Sequence, residues 1–201
     1  MHYAISHQSL RQDFLCCTPR RKLLKHTLLF VREGLVLAKL GKQEYAIEKG
    51  EAFWLPFDAL CSLTYFPSSH IQLVEVSSRV RSRMPKQGGY VELEELTTAI
   101  LNKLSQNHVN AESQQALLAV LRNELASTKT TLYESAMTQH INHWRWDCKL
   151  SELTSEQQLV MKVREANKMM LSGQKREQII NKLFSGDSAA FAQLETLLLG
   201  K

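Results

Sequence analysis

One stretch, residues 28–56 (LLFVREGLVLAKLGKQEYAIEKGEAFWLP), constrains the fold more than any other. Runs rich in aliphatic and aromatic residues are cut at Gly34, Gly41 and Gly50, too often for a helix to form between them. Gly41-Lys42 supplies a two-residue hairpin turn, because glycine accepts positive φ without a Cβ clash. Residues 43–47 return as a short strand, Glu48-Lys49-Gly50-Glu51 turns the chain again, and 52–55 enter a third strand that Pro56 ends. Leu35, Leu37 and Lys39 alternate with Val36, Ala38 and Leu40, so this strand is apolar on both faces with a lysine near its end. Short strands, glycine corners and bulky interior residues suit a small antiparallel barrel or jelly roll.

The pattern extends both ways. Residues 60–66 (LCSLTYF) and 71–80 (IQLVEVSSRV) read as further strands, with another near 25–30, enough to close a small barrel. Residues 1–25 show little pattern beyond the cationic Arg20-Arg21-Lys22 and read as a frayed arm. Arg79, Arg81 and Arg83 form a basic exit into a loop at 84–89. From Tyr90 the apolar period becomes helical: Leu93, Leu96, Ile100 and Leu104 share a face, with Glu92, Glu94 and Glu95 at the end where carboxylates suit the helix dipole. A second helix is expected over 112–126, with Leu117, Leu118, Leu121 and Leu125 as its stripe and Asn110 or Ser113 as its cap. Residues 127–156 are polar and read as a linker of uncertain structure. Their His140 and His143 have no further ligand at metal spacing beyond Asp147 and Cys148, so packing with Trp144 and Trp146 is the expectation there. Three helices follow, over about 159–171, 175–184 and 188–199, the first stopped at Ser172-Gly173 and the last capped by Asp187 or Ser188.

The spacing of Glu33, Gly34, Tyr45, Ile47, Gly50, Glu51, Leu55 and Pro56 resembles the cupin half of the AraC/XylS family of bacterial transcription regulators. Ala166, Met170, Leu171, Ser172, Gly173, Ile179, Leu183, Phe184, Asp187, Ser188 and Phe191 resemble that family's second helix-turn-helix, and the two halves occur in family order. The resemblance implies an α+β protein: a cupin-like effector-binding and dimerisation domain at 1–126, the linker at 127–156, and a helix-turn-helix-like region at 157–201. It implies a small-molecule effector held inside the barrel, for which Arg32, Tyr45, Trp54, Tyr65 and His70 are the candidates. A homodimer would form through Leu93, Leu96, Ile100, Leu117, Leu118, Leu121 and Leu125. Double-stranded DNA would be met by Lys168, Lys175, Arg176, Lys182, Ser188 and Gln193.

The chain departs from the family pattern at its end. The first helix-turn-helix unit is not legible, and residues 188–199 contain no Arg or Lys, whereas groove-reading helices normally carry several. Two functions are therefore expected: a promoter-binding regulator, or a truncated regulator-like protein that pairs with a related regulator or another protein.

Enzyme chemistry is not expected. The metal-binding cupins use an H-x-H motif after the first glycine, but LVLAKLGKQEY follows Gly34 with no histidine. There is no nucleophile–histidine set and no glycine-rich phosphate loop, so no cofactor or metal is expected. The formal charge of +5 favours an acidic partner. Cys16, Cys17, Cys61 and Cys148 lack ligand or redox spacing and are expected to be reduced. No apolar run of about 18 residues suggests a membrane span, and the first residues have no signal-type apolar core, so a cytoplasmic address is expected.

Overall fold

Strand alternation places apolar side chains on both faces of the central hairpins, so each sheet needs a cover on each side. The computed structural model describes residues 4–106, 109–148 and 151–200. Its strands are β1 (Ile5–Gln12), β2 (Cys16–Cys17), β3 (Arg21–Lys22), β4 (Lys25–Glu33), β5 (Val36–Leu40), β6 (Gln43–Ile47), β7 (Ala52–Leu55), β8 (Leu60–Tyr65), β9 (Ser69–Ser77) and β10 (Gly89–Val91). Its helices are α1 (Glu95–Leu104), α2 (Ala111–Ser127), α3 (Ala136–His143), α4 (Ser155–Leu171), α5 (Arg176–Phe184) and α6 (Ser188–Leu199). Among the described residues no helix is long and apolar enough to cross a membrane.

The strands pair as two antiparallel sheets, β1-β9-β4-β7-β10 and β2-β8-β5-β6, with β3 also on β8. Leu29, Val31, Phe53, Leu55 and Ile71 from the first sheet meet Val36, Ala38, Ile47, Leu63 and Tyr65 from the second. The outer face of the first sheet, with Leu28, Phe30, Trp54, Val74 and Val76, is covered by Ile100, Leu101, Leu104, Leu118, Leu121 and Leu125 of α1 and α2. The outer face of the second sheet, with Leu35 (just before β5), Leu37 and Ala46, is covered by Ile141 of α3 and by Val160, Met161 and Val163 of α4. The result is four layers: helices, sheet, sheet, helices. Fully burying side chains such as Trp54, Phe53, Leu28 and Leu29 contributes about 2–3 kcal/mol each.

Three expectations are corrected. The N-terminal arm is not frayed: β1 pairs along its length with β9, from Ile5 opposite Val76 to Gln12 opposite Ser69. Its alternation is faint because one face carries His7, Ser9 and Arg11 and only Ile5 and Leu10 join the apolar clusters. Tyr90 lies in a strand, not at a helix start; α1 begins only after Glu94. Residues 127–156 are not an open connection. Thr131 exchanges both backbone hydrogen bonds with Tyr90, and α3 lies against β6, where Thr138 Oγ1 accepts from the Ala46 amide at 3.0 Å.

The caps follow the local sequence. Asn110 accepts from Ser113 N, Thr154 and Gln157 form a capping box, and Asp187 accepts from Ala190 N. α4 therefore starts four residues before its apolar stripe announces it.

Gly34 and Gly41 both have positive φ, at +84° and +61°, but differ in their surroundings. A Cβ on Gly34 would lie 2.5 Å from Ser69 Oγ and 2.8 Å from Ser69 Cα, whereas one on Gly41 meets nothing within 4 Å. Gly41→Ala is expected to cost about 1 kcal/mol, the backbone penalty alone, and Gly34→Ala about 3 kcal/mol. Urea unfolding midpoints measure both, and equal losses would refute the close approach at Ser69.

Candidate functional site

Side chains of the two sheets meet in the space between them. Tyr65 is among them; burial pushes its phenol pKa well up. Tyr45 packs at the border of the same cluster, 5.7 Å from the Phe53 ring. Trp54 points the other way, into the helix-covered face, and its Nε1 donates to the Pro85 carbonyl at 3.0 Å. The five residues expected to line one internal cavity are thus dispersed. Trp54, Tyr45 and Tyr65 are packing residues.

Arg32 and His70 do converge, but outside the roll. His70 stands opposite Arg11 across the β1–β9 pair and opposite Glu33 across the β9–β4 pair. The His70 Nε2 and Ser9 Oγ atoms are 2.9 Å apart, and the Arg32 guanidinium lies 5.3 Å from the Phe30 ring centroid. A cleft of about 470 Å³ is lined by Arg11, Arg32, Lys49, His70, Glu33, Phe30 and Gly50, with Val31 at its base. Phe30 and Gly50 also line a second cleft, of about 1120 Å³, that runs under α1 and α2. Its walls include Tyr90 and Tyr133, stacked at 4.3 Å, and the carboxylates of Glu51, Glu92, Glu94 and Glu124. Burial raises the Glu51 carboxyl pKa, an effect that the hydrogen bond from the Glu48 amide offsets in part. Burial likewise pushes Tyr90 up to about 12; its hydroxyl donates to the Ala46 carbonyl at 2.6 Å and so ties β10 to the opposite sheet.

The two clefts meet at Phe30 and Gly50, which line both, to give a trough with Arg11, Arg32 and Lys49 beside Glu33 at one end and the carboxylates and tyrosines at the other. It suits a small molecule with an anionic group and a flat body. Of the residues lining these clefts, Arg32 and His70 are among the sequence candidates, and Arg11, Lys49, Tyr90 and Tyr133 are not. Arg11 was legible only through the alternation of β1, and Tyr133 has no local signal at all. Among the described residues no three His, Cys, Asp or Glu side chains gather as a metal site. His143 Nδ1 lies 2.8 Å from the Gln139 carbonyl, and Trp144 packs beside α4.

The helical stripe read as a dimer interface is largely internal. Ile100, Leu118, Leu121 and Leu125 are buried against the first sheet, and Leu93 and Leu117 pack at the edge of that cluster. Leu96, 50% exposed, is the member that faces outward most.

The tail is bound to the roll. Arg164 of α4 makes a two-pronged ion pair with Glu44 of β6, one arm at 2.9 Å, and the Leu15 amide donates to the Leu198 carbonyl at 2.7 Å. Burial alone would raise the Glu44 carboxyl pKa, but the hydrogen bonds and charge of Arg164, helped by Lys39, hold it below the usual range. Of the residues expected on DNA, Lys168 pairs with Glu165 at 3.2 Å and Arg176 forms a two-pronged pair with Glu195, one arm at 2.8 Å. Lys182 Nζ sits 5.2 Å from the Trp146 ring. Lys175, Ser188 and Gln193 are exposed.

No family model matches the chain, and no curated protein matches it. Among solved structures, ToxT from Vibrio cholerae, an AraC-family regulator, aligns with 97% of this chain and 94% of its own at 14% identity, with a TM-score of 0.41. ToxT bound to (E)-4-(8-methylnaphthalen-1-yl)but-3-enoic acid aligns with 98% of this chain and 95% of its own at 12% identity and a TM-score of 0.39. A cupin superfamily protein from Desulfitobacterium hafniense aligns with 39% of this chain and 72% of its own at 6% identity and a TM-score of 0.36. At such scores and identities the likeness carries no argument about what this chain does.

Arg164→Met leaves a nearly buried carboxylate without its partner and is expected to cost about 3 kcal/mol. Because the folded pKa of Glu44 is depressed, its contribution is complete above the unfolded carboxylate value of about 4.3 and is lost as pH falls through the lower folded value. Urea unfolding as a function of pH is expected to show this acid loss in the wild type and not in Glu44→Gln. An identical acid limb in both would overturn the assignment.

Proposed function

We propose that this chain is a regulator of the AraC kind, a ligand-sensing β-roll joined to a reduced helix-turn-helix end, and that this end acts on protein instead of reading DNA. Support for the kind comes from the glycine-cornered roll, the helix pair and the three C-terminal helices, in the order that the resemblance implies. The observation that carries the mode of action is the uncharged exposed surface of α6. Ser188, Ala189, Ala192, Gln193 and Leu197 are exposed and bear no charge, and Leu197 is 69% exposed. A helix entering a groove needs cations for phosphates. Here the nearby Arg176 is held by Glu195 on α6 itself.

We place the effector in the trough, its anionic group toward Arg11, Arg32 and His70. Effector binding would act as a population shift, favouring one docking of the tail on the roll. The promoter-binding reading keeps one favourable observation, the exposed Lys175 beside the net charge of +5.

Fluorescence polarisation with duplex DNA at low salt decides between them. The expected result is weak, sequence-independent binding that Lys175→Glu reduces by less than about threefold. Tight binding to a promoter fragment, abolished by Lys175→Glu, would overturn the protein-pairing mode and restore the DNA-reading regulator.

A further inference from the structure

The loop leaving β9 carries Arg79 and Arg81, which neither the trough nor the tail uses. It folds back over the far end of the β1–β9 pair: the Ser77 amide donates to the Ala4 carbonyl at 2.9 Å, the Val80 amide to the Ser77 carbonyl at 3.2 Å, and the Arg79 amide to Ser77 Oγ at 3.3 Å. α2 delivers Arg122 to the same place. These three arginines, with Ser77, Ser82 and Val80, line a cleft of about 390 Å³. Ser77 and His70 lie at opposite ends of β9, roughly 23 Å apart at the rise of an extended strand, so the cleft is distinct from the effector trough.

Three features mark it as a binding site. No carboxylate lines it. Among the described residues Arg79, Arg81 and Arg122 take part in no ion pair, so nothing in the chain neutralises the charge they bring to the cleft. The Nε of Arg122 is buried without a hydrogen-bond partner. A cluster of like charges with an unmatched buried donor calls for an anion. Guanidinium forks match the oxygens of phosphate or carboxylate. Three positive charges and two serine hydroxyls favour the doubly charged group.

We propose that this cleft binds the phosphate group of a small phosphorylated molecule, a second ligand site independent of the tail's mode of action. The shared chemistry is a phosphate dianion, free or esterified, and the probes are inorganic phosphate, pyrophosphate and glycerol phosphate. Isothermal titration of the full chain in chloride buffer of matched ionic strength is expected to show one saturable site. Glycerol phosphate binding at least as tightly as inorganic phosphate supports an ester; tighter inorganic phosphate supports the free ion. Arg79→Gln/Arg81→Gln changes only exposed side chains and is expected to weaken binding at least about tenfold, as is Arg122→Gln, whereas Lys42→Gln at a distant hairpin leaves it unchanged. Absence of saturable binding in the wild type, or equal affinity in Arg79→Gln/Arg81→Gln, would overturn the site. Displacement of phosphate by duplex DNA, lost in the same variant, would assign the cleft to a nucleic-acid backbone and overturn the small-molecule form.

Discussion

The β4–β7 pair is buried on both faces, and the remaining layers are arranged around that requirement. Leu28 stands opposite Trp54, and Leu29 opposite Phe53, in adjacent rungs of the same ladder. One rung projects outward and the next inward, because side chains alternate along a strand. The inward rung is covered by the second sheet and the outward rung by α1 and α2. Removing either cover would leave several of the largest apolar side chains in water. The same logic repeats on β5, where Leu35 and Leu37 face α3 and α4 while Val36 and Ala38 face inward.

The same double burial brings Leu29, Phe53, Ile71 and Tyr65 together between the sheets. The available space lies where the helical cover stops short of the sheet, and polar groups collect there. Arg11, Arg32 and His70 occupy the uncovered end of the first sheet, and Tyr90 and Tyr133 line the gap beneath the helices. A ligand in that gap would touch the sheet and the helices together, which is the arrangement a shift in helix position needs.

Charge is distributed less simply than the net value of +5 suggests. The tail cations that a sequence reader assigns to phosphate are largely engaged at home: Arg164 with Glu44, Lys168 with Glu165, Arg176 with Glu195. Arg79 and Arg81 after β9 and Arg122 of α2, by contrast, gather without an ion pair among the described residues. A composition-level lean toward an acidic partner therefore holds its value as a statement about charge and loses it as a statement about place.

The sequence by itself determined the local architecture: the glycine-cornered hairpins, most strand and helix positions, and caps narrowed to Asn110 or Ser113 and to Asp187 or Ser188. All of these follow from neighbours within a few residues, through φ preferences, alternation and side-chain caps. It also marked 35–40 as apolar on two faces without saying what would cover each. Tertiary structure alone decided the rest. Pairing β1 with β9 turned an apparent tail into a sheet edge, docking α3 on β6 ordered a stretch that read as linker, and covering the first sheet drew Ile100, Leu118, Leu121 and Leu125 into the core. Trp54 went outward and Tyr65 inward for the same reason: a strand's periodicity fixes that two residues oppose each other, but only the register of its partners decides which face becomes the interior.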